Sequence, residues 1–174
     1  MGEMESLFFS GFCLKGEESL FSQFWSPEPF HWGGFSFGAQ RVWEKLRNSS
    51  SSPFSLPRKV TLLSPAYFGS PSQKWIGINL TGFGRNKEKY IRTFLQKGGL
   101  SDWKYLDLSC TLSQLERGLK FNWLPPPREI DKIELHIYLG EKDPIIDVEG
   151  AYNFFKKYGI VYLIKGANHF LRKE

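Results

Sequence analysis

Short apolar runs typical of buried strands alternate with segments of helical spacing along most of this chain. The predicted strands are residues 6–11, 30–35, 59–63, 132–139 and 160–164. The predicted helices between them are residues 17–25, 39–46 and 148–158. Strands that are separated by helices pair in parallel through right-handed crossovers. The alternation therefore predicts an α/β fold, with a mostly parallel sheet and helices on both faces.

The alternation stops between residues 67 and 127, where glycines and aromatic residues are mixed and only residues 87–96 and 112–120 have helical spacing. Three consecutive prolines end this region, since proline lacks an amide donor and stiffens an extended connection. We expect the region to be an insertion that forms a cap over the carboxyl ends of the strands, where open α/β sheets place their sites. A chain of 174 residues suffices for one domain, so residues 1–174 are predicted to form a single domain with this cap.

The positive charge of the chain is concentrated in the same region. The formal net charge is +5, and residues 69–128 hold ten Lys or Arg against four Asp or Glu. A basic segment can contact nucleic acid, an anionic membrane or an acidic protein. The sequence has no recognised nucleic-acid motif, no apolar stretch near the roughly 20 residues of a membrane span, and no basic segment followed by an apolar run at its start. We therefore predict a cytoplasmic protein with neither a nucleic-acid nor a membrane partner.

The two cysteines, Cys13 and Cys110, are too few for a secreted scaffold held by disulfides. They also lack the spacing of metal ligands. The sequence predicts neither a disulfide nor a metal site.

Gly34, Ser36 and Gly38 form the pattern G-x-S-x-G at the end of the second predicted strand and the start of the helix that follows. In this context the serine lies on a sharp turn that forces a strained backbone conformation. The flanking glycines lack a Cβ, which lets strand and helix approach closely. The pattern favours Ser36 as a nucleophile.

A serine hydroxyl becomes a good nucleophile when a histidine, oriented by a carboxylate, removes its proton. His31 and His136 lie inside predicted strands, whereas His169 follows the last strand and is our choice for the base. If the order along the chain is serine, acid, histidine, the acid follows the strand before the last. Asp143 occupies this place, with Asp147 as its competitor and Glu141 as a weaker alternative. The choice between Asp143 and Asp147 stays open.

An oxyanion hole needs two amide donors near the nucleophile, one of them from the residue after it. Phe37 supplies the first amide, and Phe12, which follows Gly11 after the first predicted strand, is expected to supply the second. Aromatic residues of the insertion are candidates for lining an acyl channel. They are Trp75, Phe83, Tyr90, Phe94 and Trp103.

At these residues the sequence resembles the α/β-hydrolases, and more closely the BioV family of small pimelyl-[acyl-carrier protein] methyl ester esterases of biotin synthesis. The resemblance covers nearly the whole chain. It rests on Phe8-Phe9-Ser10-Gly11-Phe12, Gly34-Phe35-Ser36-Phe37-Gly38-Ala39, Leu63-Ser64-Pro65, Leu139-Gly140-Glu141-Lys142-Asp143 and Asn168-His169-Phe170.

The resemblance implies a shortened hydrolase sheet, with Ser36, Asp143 and His169 as nucleophile, acid and base. It implies hydrolysis of a methyl ester without a metal or cofactor, and an acidic acyl carrier protein as partner. Arg85, Lys89 and Arg92 are spaced as i, i+4 and i+7. We predict that they share one helix face and dock the carrier. Another small acyl esterase or thioesterase, and a non-catalytic carrier-binding module, are the alternative functions.

Overall fold

Five parallel strands form the centre of the computed structural model, which describes residues 5–49 and 55–173 of the chain. They are β1 Leu7–Phe9, β2 His31–Phe35, β3 Lys59–Leu63, β4 Glu134–Gly140 and β5 Ile160–Ile164, and they lie side by side in this order. The α-helices are α1 Phe37–Asn48, α2 Gln73–Arg85, α3 Lys87–Gly98, α4 Leu112–Leu119 and α5 Val148–Phe155. The predicted α/β class is confirmed, and β3 and β5 have the predicted bounds.

One face of the sheet is covered by α1 and α5. Leu62 of β3 and Ile137 of β4 are fully buried on this face, in a cluster with Trp43 of α1 and Phe155 of α5. The rings of Trp43 and Phe155 meet edge to face, with centroids 5.6 Å apart, a favourable aromatic geometry. β3 is buried from Val60 to Leu63 and is almost continuously apolar, as expected for a strand covered on both faces. β4 instead alternates, with Leu135, Ile137 and Leu139 buried.

The opposite face is covered by the segment after β1 and by helices of the insertion. The helix predicted for residues 17–25 is a shorter 3-10 helix, Glu17–Phe21. Phe21 packs on Phe35 of β2, with ring centroids 4.7 Å apart. Ile91 and Leu95 of α3 belong to the same buried cluster. The insertion therefore contributes to the core as well as to the surface.

The helices α2, α3 and α4 lie between β3 and β4, within the predicted insertion. Helix α2 is missing from the sequence prediction, because its three glycines obscure its helical spacing. Asn86 ends α2 and begins α3 with an extended backbone (φ −153°), and its side chain accepts a hydrogen bond from the Lys89 amide. An asparagine in this position caps the new helix and changes its direction.

Cys13 and Cys110 form a disulfide, so the prediction of two unpaired cysteines was wrong. The two residues are 97 positions apart in sequence, but their Cα atoms are 5.1 Å apart. Backbone hydrogen bonds bring their segments together, from Lys15 N to Tyr105 O and from Asp107 N to Cys13 O, each 2.8 Å long. The number of cysteines carries no information about such long-range pairing.

Candidate active site

Ser36 lies on the sharp turn between β2 and α1, and its backbone has φ 55° and ψ −115°. This left-handed conformation is strained for a residue other than glycine. Glycine is required on both sides of Ser36, because the backbone of other residues lies too close for a Cβ atom. A Cβ at Gly34 would lie 2.6 Å from the Gly38 carbonyl carbon, and one at Gly38 would lie 1.9 Å from the Phe9 carbonyl oxygen. The turn holds Ser36 at the carboxyl end of the sheet.

The structure brings Ser36, His169 and Asp143 together as a hydrogen-bonded series. His169 Nε2 is 2.9 Å from Ser36 Oγ, and His169 Nδ1 is 2.6 Å from Asp143 Oδ2. An ionised carboxylate only accepts hydrogen bonds, so Nδ1 donates to it. In the neutral ring, Nε2 then accepts from the Ser36 hydroxyl. This arrangement allows His169 to take the serine proton.

Of the three acidic candidates, the structure places Asp143 against the histidine. Its other oxygen, Oδ1, accepts from the Ile145 amide at 2.8 Å, which fixes the carboxylate plane. Asp147 instead caps α5 and accepts from the Gly150 amide at 2.9 Å. Glu141 accepts from the Gly166 amide at 2.8 Å. The alternatives left open by the sequence thus have separate structural roles.

The other two histidines have contacts away from Ser36. His31 is buried, and its Nδ1 donates to the Ser26 carbonyl at 3.0 Å while Nε2 lies 2.8 Å from Thr61 Oγ1. Burial, with a smaller contribution from the charge of Lys59, lowers the pKa of His31 to about 4. His136 contacts Glu134, with 3.1 Å between Nε2 and the carboxylate.

Two residues that support the histidine, Ser64 and Asn168, were not among the predicted site residues. The hydroxyl of Ser64, at the end of β3, donates to the His169 carbonyl oxygen at 2.6 Å. Asn168 Oδ1 accepts from the amides of Phe170 and Arg172 at 3.0 and 3.2 Å. These bonds fix the loop that carries His169. Both residues belong to segments on which the family resemblance rests, but that resemblance gives them no role, and their contacts with the histidine loop depend on the fold.

The amides of Phe12 and Phe37 are the predicted oxyanion donors. Phe37 is the first residue of α1, directly after Ser36, and Phe12 follows β1, the neighbour of β2. Their rings are 5.1 Å apart. In the described part of the chain, neither amide donates to a protein acceptor. Phe37 is at the N-terminus of α1, where free amides stabilise negative charge such as that of an oxyanion.

A cavity of about 580 Å³ lies between the insertion and the loop after β4. Its wall includes Phe68, whose ring lies 6.1 Å from that of Phe37, and Ile145, whose amide binds Asp143. Aromatic residues of the insertion that line it are Trp75, Tyr90 and Phe94. Phe83 is instead buried in the core, and Trp103 does not line this cavity. A second cavity, of about 350 Å³, is lined by Phe12, Phe37 and the disulfide.

The predicted basic helix face is wrong in part. Arg85 ends α2, whereas Lys89 and Arg92 belong to α3, because the chain changes direction at Asn86. Arg85 and Lys89 line the 580 Å³ cavity together with Lys97, which is not part of the predicted basic face. Arg92 is bound to Glu88 at 2.9 Å and lies over the Trp103 ring. The structure therefore groups Arg85, Lys89 and Lys97 around the cavity, whereas Arg92 does not line it.

No protein-family model and no curated protein matches this sequence. Solved structures match it at low sequence identity. A lipase-esterase-related protein from Clostridium acetobutylicum has a TM-score of 0.64 and 12% identity, covering 95% of this chain and 87% of its own. An esterase from Exiguobacterium antarcticum has a TM-score of 0.64 and 12% identity, covering 94% and 83%. The bottromycin epimerase BotH has a TM-score of 0.62 and 12% identity, covering 93% and 81%.

These similarities show that the chain has the α/β-hydrolase fold. An epimerase among the similar structures illustrates that the fold alone does not define a reaction. Within residues 5–49 and 55–173, no group of three or more His, Cys, Asp or Glu side chains is placed to hold a metal ion. Over the same residues, no helix combines the length and the apolar character that a membrane crossing demands.

Proposed function

We propose that this protein is a serine carboxylesterase that hydrolyses the methyl ester of pimelyl-[acyl-carrier protein], releasing methanol. The observation that supports an esterase most directly is the hydrogen-bonded series Ser36–His169–Asp143. The amides of Phe12 and Phe37, which donate to no protein acceptor among the described residues, are the expected oxyanion donors. The specific substrate is supported by the sequence resemblance to the BioV family and by the cavity beside the site.

In this mechanism Ser36 Oγ attacks the ester carbonyl carbon while His169 Nε2 accepts its proton. The negative charge that develops on the carbonyl oxygen is stabilised by the amides of Phe12 and Phe37. His169 then protonates the departing methoxide, and methanol leaves a pimelyl ester on Ser36. A water molecule, deprotonated by His169, then attacks the carbonyl carbon of this ester. The bond from that carbon to Ser36 Oγ breaks, Oγ takes its proton back from His169, and the free carboxyl product leaves. Asp143 keeps Nδ1 protonated and stabilises the imidazolium in both steps.

The proposed substrate combines an apolar chain with an acidic carrier. An acyl chain fits the aromatic lining of the 580 Å³ cavity, and Arg85, Lys89 and Lys97 at the same cavity carry positive charge suited to an acidic partner. A terminal carboxylate would be costly to bury in the apolar channels of fatty-acid enzymes. Its methyl ester avoids this cost, and the proposed enzyme removes the ester after chain synthesis.

The decisive experiment measures methanol release from pimelyl-carrier-protein methyl ester by the wild type and by Ser36→Ala. We expect release by the wild type and loss of at least about 10³-fold in the variant, because no other group replaces the nucleophile. Wild-type protein that cleaves p-nitrophenyl esters but not this substrate would retain the esterase assignment and refute the substrate. Preference for a pimelyl thioester would indicate a thioesterase. Inactivity on all three substrates, together with carrier binding, would indicate a non-catalytic module.

A further inference from the structure

The Glu17 side chain is completely buried, with 0% exposure, and has no part in the chemistry described above. It begins the 3-10 helix after β1. Its Oε1 accepts a hydrogen bond from the Gly11 amide at 2.7 Å. Among the described residues, its Oε2 has no hydrogen-bond partner. Glutamate is rarely buried in this way because removing a carboxyl group from water is costly, so the complete burial of Glu17 requires an explanation.

That contact holds the loop that supplies one of the two oxyanion donors. Gly11 directly precedes Phe12, and its carbonyl oxygen accepts from the Leu14 amide at 3.2 Å. The Gly11 carbonyl and the Phe12 amide belong to one planar trans peptide, so they point in opposite directions. With the carbonyl bound inside the turn, the Phe12 N–H is directed outward. Glu17 fixes the peptide unit immediately before this one.

The loop has little room to find another position. A Cβ at Gly11 would lie 2.7 Å from the Phe35 ring, so the backbone is already in close contact with β2. At its other end, the Cys13 carbonyl accepts from the Asp107 amide, and the Cys13 side chain is bonded to Cys110. Glu17 is thus the attachment on the β1 side of Phe12, whereas the disulfide is the attachment on the other side.

We propose that Glu17 is a positioning residue whose carboxyl group holds the Gly11 amide and thereby orients the Phe12 N–H toward the oxyanion. This inference rests on the proposed esterase function for its catalytic consequence. Its structural part, that Glu17 orders the loop of residues 11–14, holds for any function of the site.

The environment of Glu17 agrees with this role. Burial raises its pKa, while hydrogen bonds from the backbone of Gly11 and of Glu17 itself and from the Ser10 side chain oppose the rise. A raised pKa favours the neutral acid relative to an exposed glutamate. In either protonation state the carboxyl group offers an acceptor oxygen to the Gly11 amide. Glutamine has the same shape and the same carbonyl acceptor.

The test compares Glu17→Gln, which keeps the acceptor, with Glu17→Met, which keeps the length but has only a weakly accepting sulfur. The matched control is Glu18→Gln, the same change at the next, partly exposed position. With a p-nitrophenyl acyl ester, we expect Glu17→Met to lower kcat about 10- to 100-fold with KM within about threefold, since one oxyanion donor is worth about 10²-fold or more. Glu17→Gln and Glu18→Gln should stay within about threefold of the wild type.

Glu17→Asp provides a second variant if Glu17→Met does not fold. It keeps the carboxyl group but withdraws it by one methylene, so we expect about a tenfold loss of kcat. Equal kcat values for wild type and Glu17→Met, or an equal loss in Glu17→Gln and Glu17→Met, would overturn the proposal.

Hydrogen exchange of the Gly11 amide, followed by NMR, separates this proposal from the esterase assignment. We expect slow exchange in the wild type and Glu17→Gln, and exchange at least about tenfold faster in Glu17→Met or Glu17→Asp. If the wild type cleaves no ester, the proposed function fails and this measurement still decides whether Glu17 orders the loop. If the wild type is an active esterase but the Gly11 amide exchanges equally fast in wild type and Glu17→Met, the role of Glu17 is refuted and the esterase assignment is not affected.

Discussion

Three carboxyl side chains follow β4 within seven residues, and each accepts a different hydrogen bond. Glu141 binds the Gly166 amide, Asp143 binds His169, and Asp147 binds the Gly150 amide at the start of α5. Asp143 is also the buried member of the set. Asp143 therefore has a proposed catalytic role, and Asp147, four positions later, has a capping role. The same substitution at both positions tests the catalytic assignment with a matched control.

Asp143→Asn is expected to lower kcat about 10³- to 10⁴-fold, because an amide group in this position favours the wrong tautomer of the histidine. Asp147→Asn should leave kcat within about threefold and stability nearly unchanged, since asparagine caps a helix about as well as aspartate. Steady-state kinetics on a p-nitrophenyl ester measures both variants. A loss in Asp147→Asn as large as that in Asp143→Asn would contradict the assignment of Asp143.

At the scale of secondary-structure elements, the segment after β1 is attached to the segment before α4. The attachment consists of the disulfide Cys13–Cys110 and the backbone bonds of residues 13–15 with residues 105–107. It holds the Phe12 loop on one side and leads into the capping box of α4 at Thr111 on the other. The geometry of the proposed oxyanion donor thus depends on the position of the insertion.

Reduction of the disulfide is expected to lower the free energy of unfolding by about 2–4 kcal/mol, since the bond closes a long loop and restricts the unfolded chain. Urea denaturation with and without reductant measures the change, with thiol titration to verify reduction. The Cys13→Ser/Cys110→Ser variant is the control, because its unfolding curve should not respond to reductant. A reduced wild type that unfolds at the same urea concentration as the oxidised protein would disprove this contribution.

At the scale of the whole molecule, positive charge and apolar surface meet at one cavity. Arg85, Lys89 and Lys97 come from two helices that are separated by the turn at Asn86.

The cytoplasmic location stays a prediction. The disulfide Cys13–Cys110 argues against it, because disulfides persist mainly in oxidising compartments.

Charge reversal in Arg85→Glu/Lys89→Glu is expected to raise KM for the carrier-bound methyl ester about tenfold at low salt, with less effect at high salt. The same variant should cleave a p-nitrophenyl ester as the wild type does. Arg92→Glu is the matched control, because Arg92 pairs with Glu88 away from the cavity. Equal losses on both substrates, or an Arg92→Glu effect of the same size, would refute docking at Arg85 and Lys89.

The sequence by itself determined the features that depend on neighbouring residues. Apolar runs located all five strands, and the pattern around Ser36 indicated the turn between β2 and α1, because strand periodicity and the steric demands of a sharp turn act within a few residues. The order of elements also indicated His169 and Asp143 as candidates beside Ser36, but Asp147 satisfied the same local criteria.

Only the tertiary structure decided what depends on residues far apart in the chain. The contact of Asp143 rather than Asp147 with His169, the disulfide of Cys13 with Cys110, and the bond from Ser64 to His169 each join segments that meet only after folding. The burial of Glu17 also depends on the packing around it. Orientation and burial are properties of that packing, and no local pattern of residue types contains them.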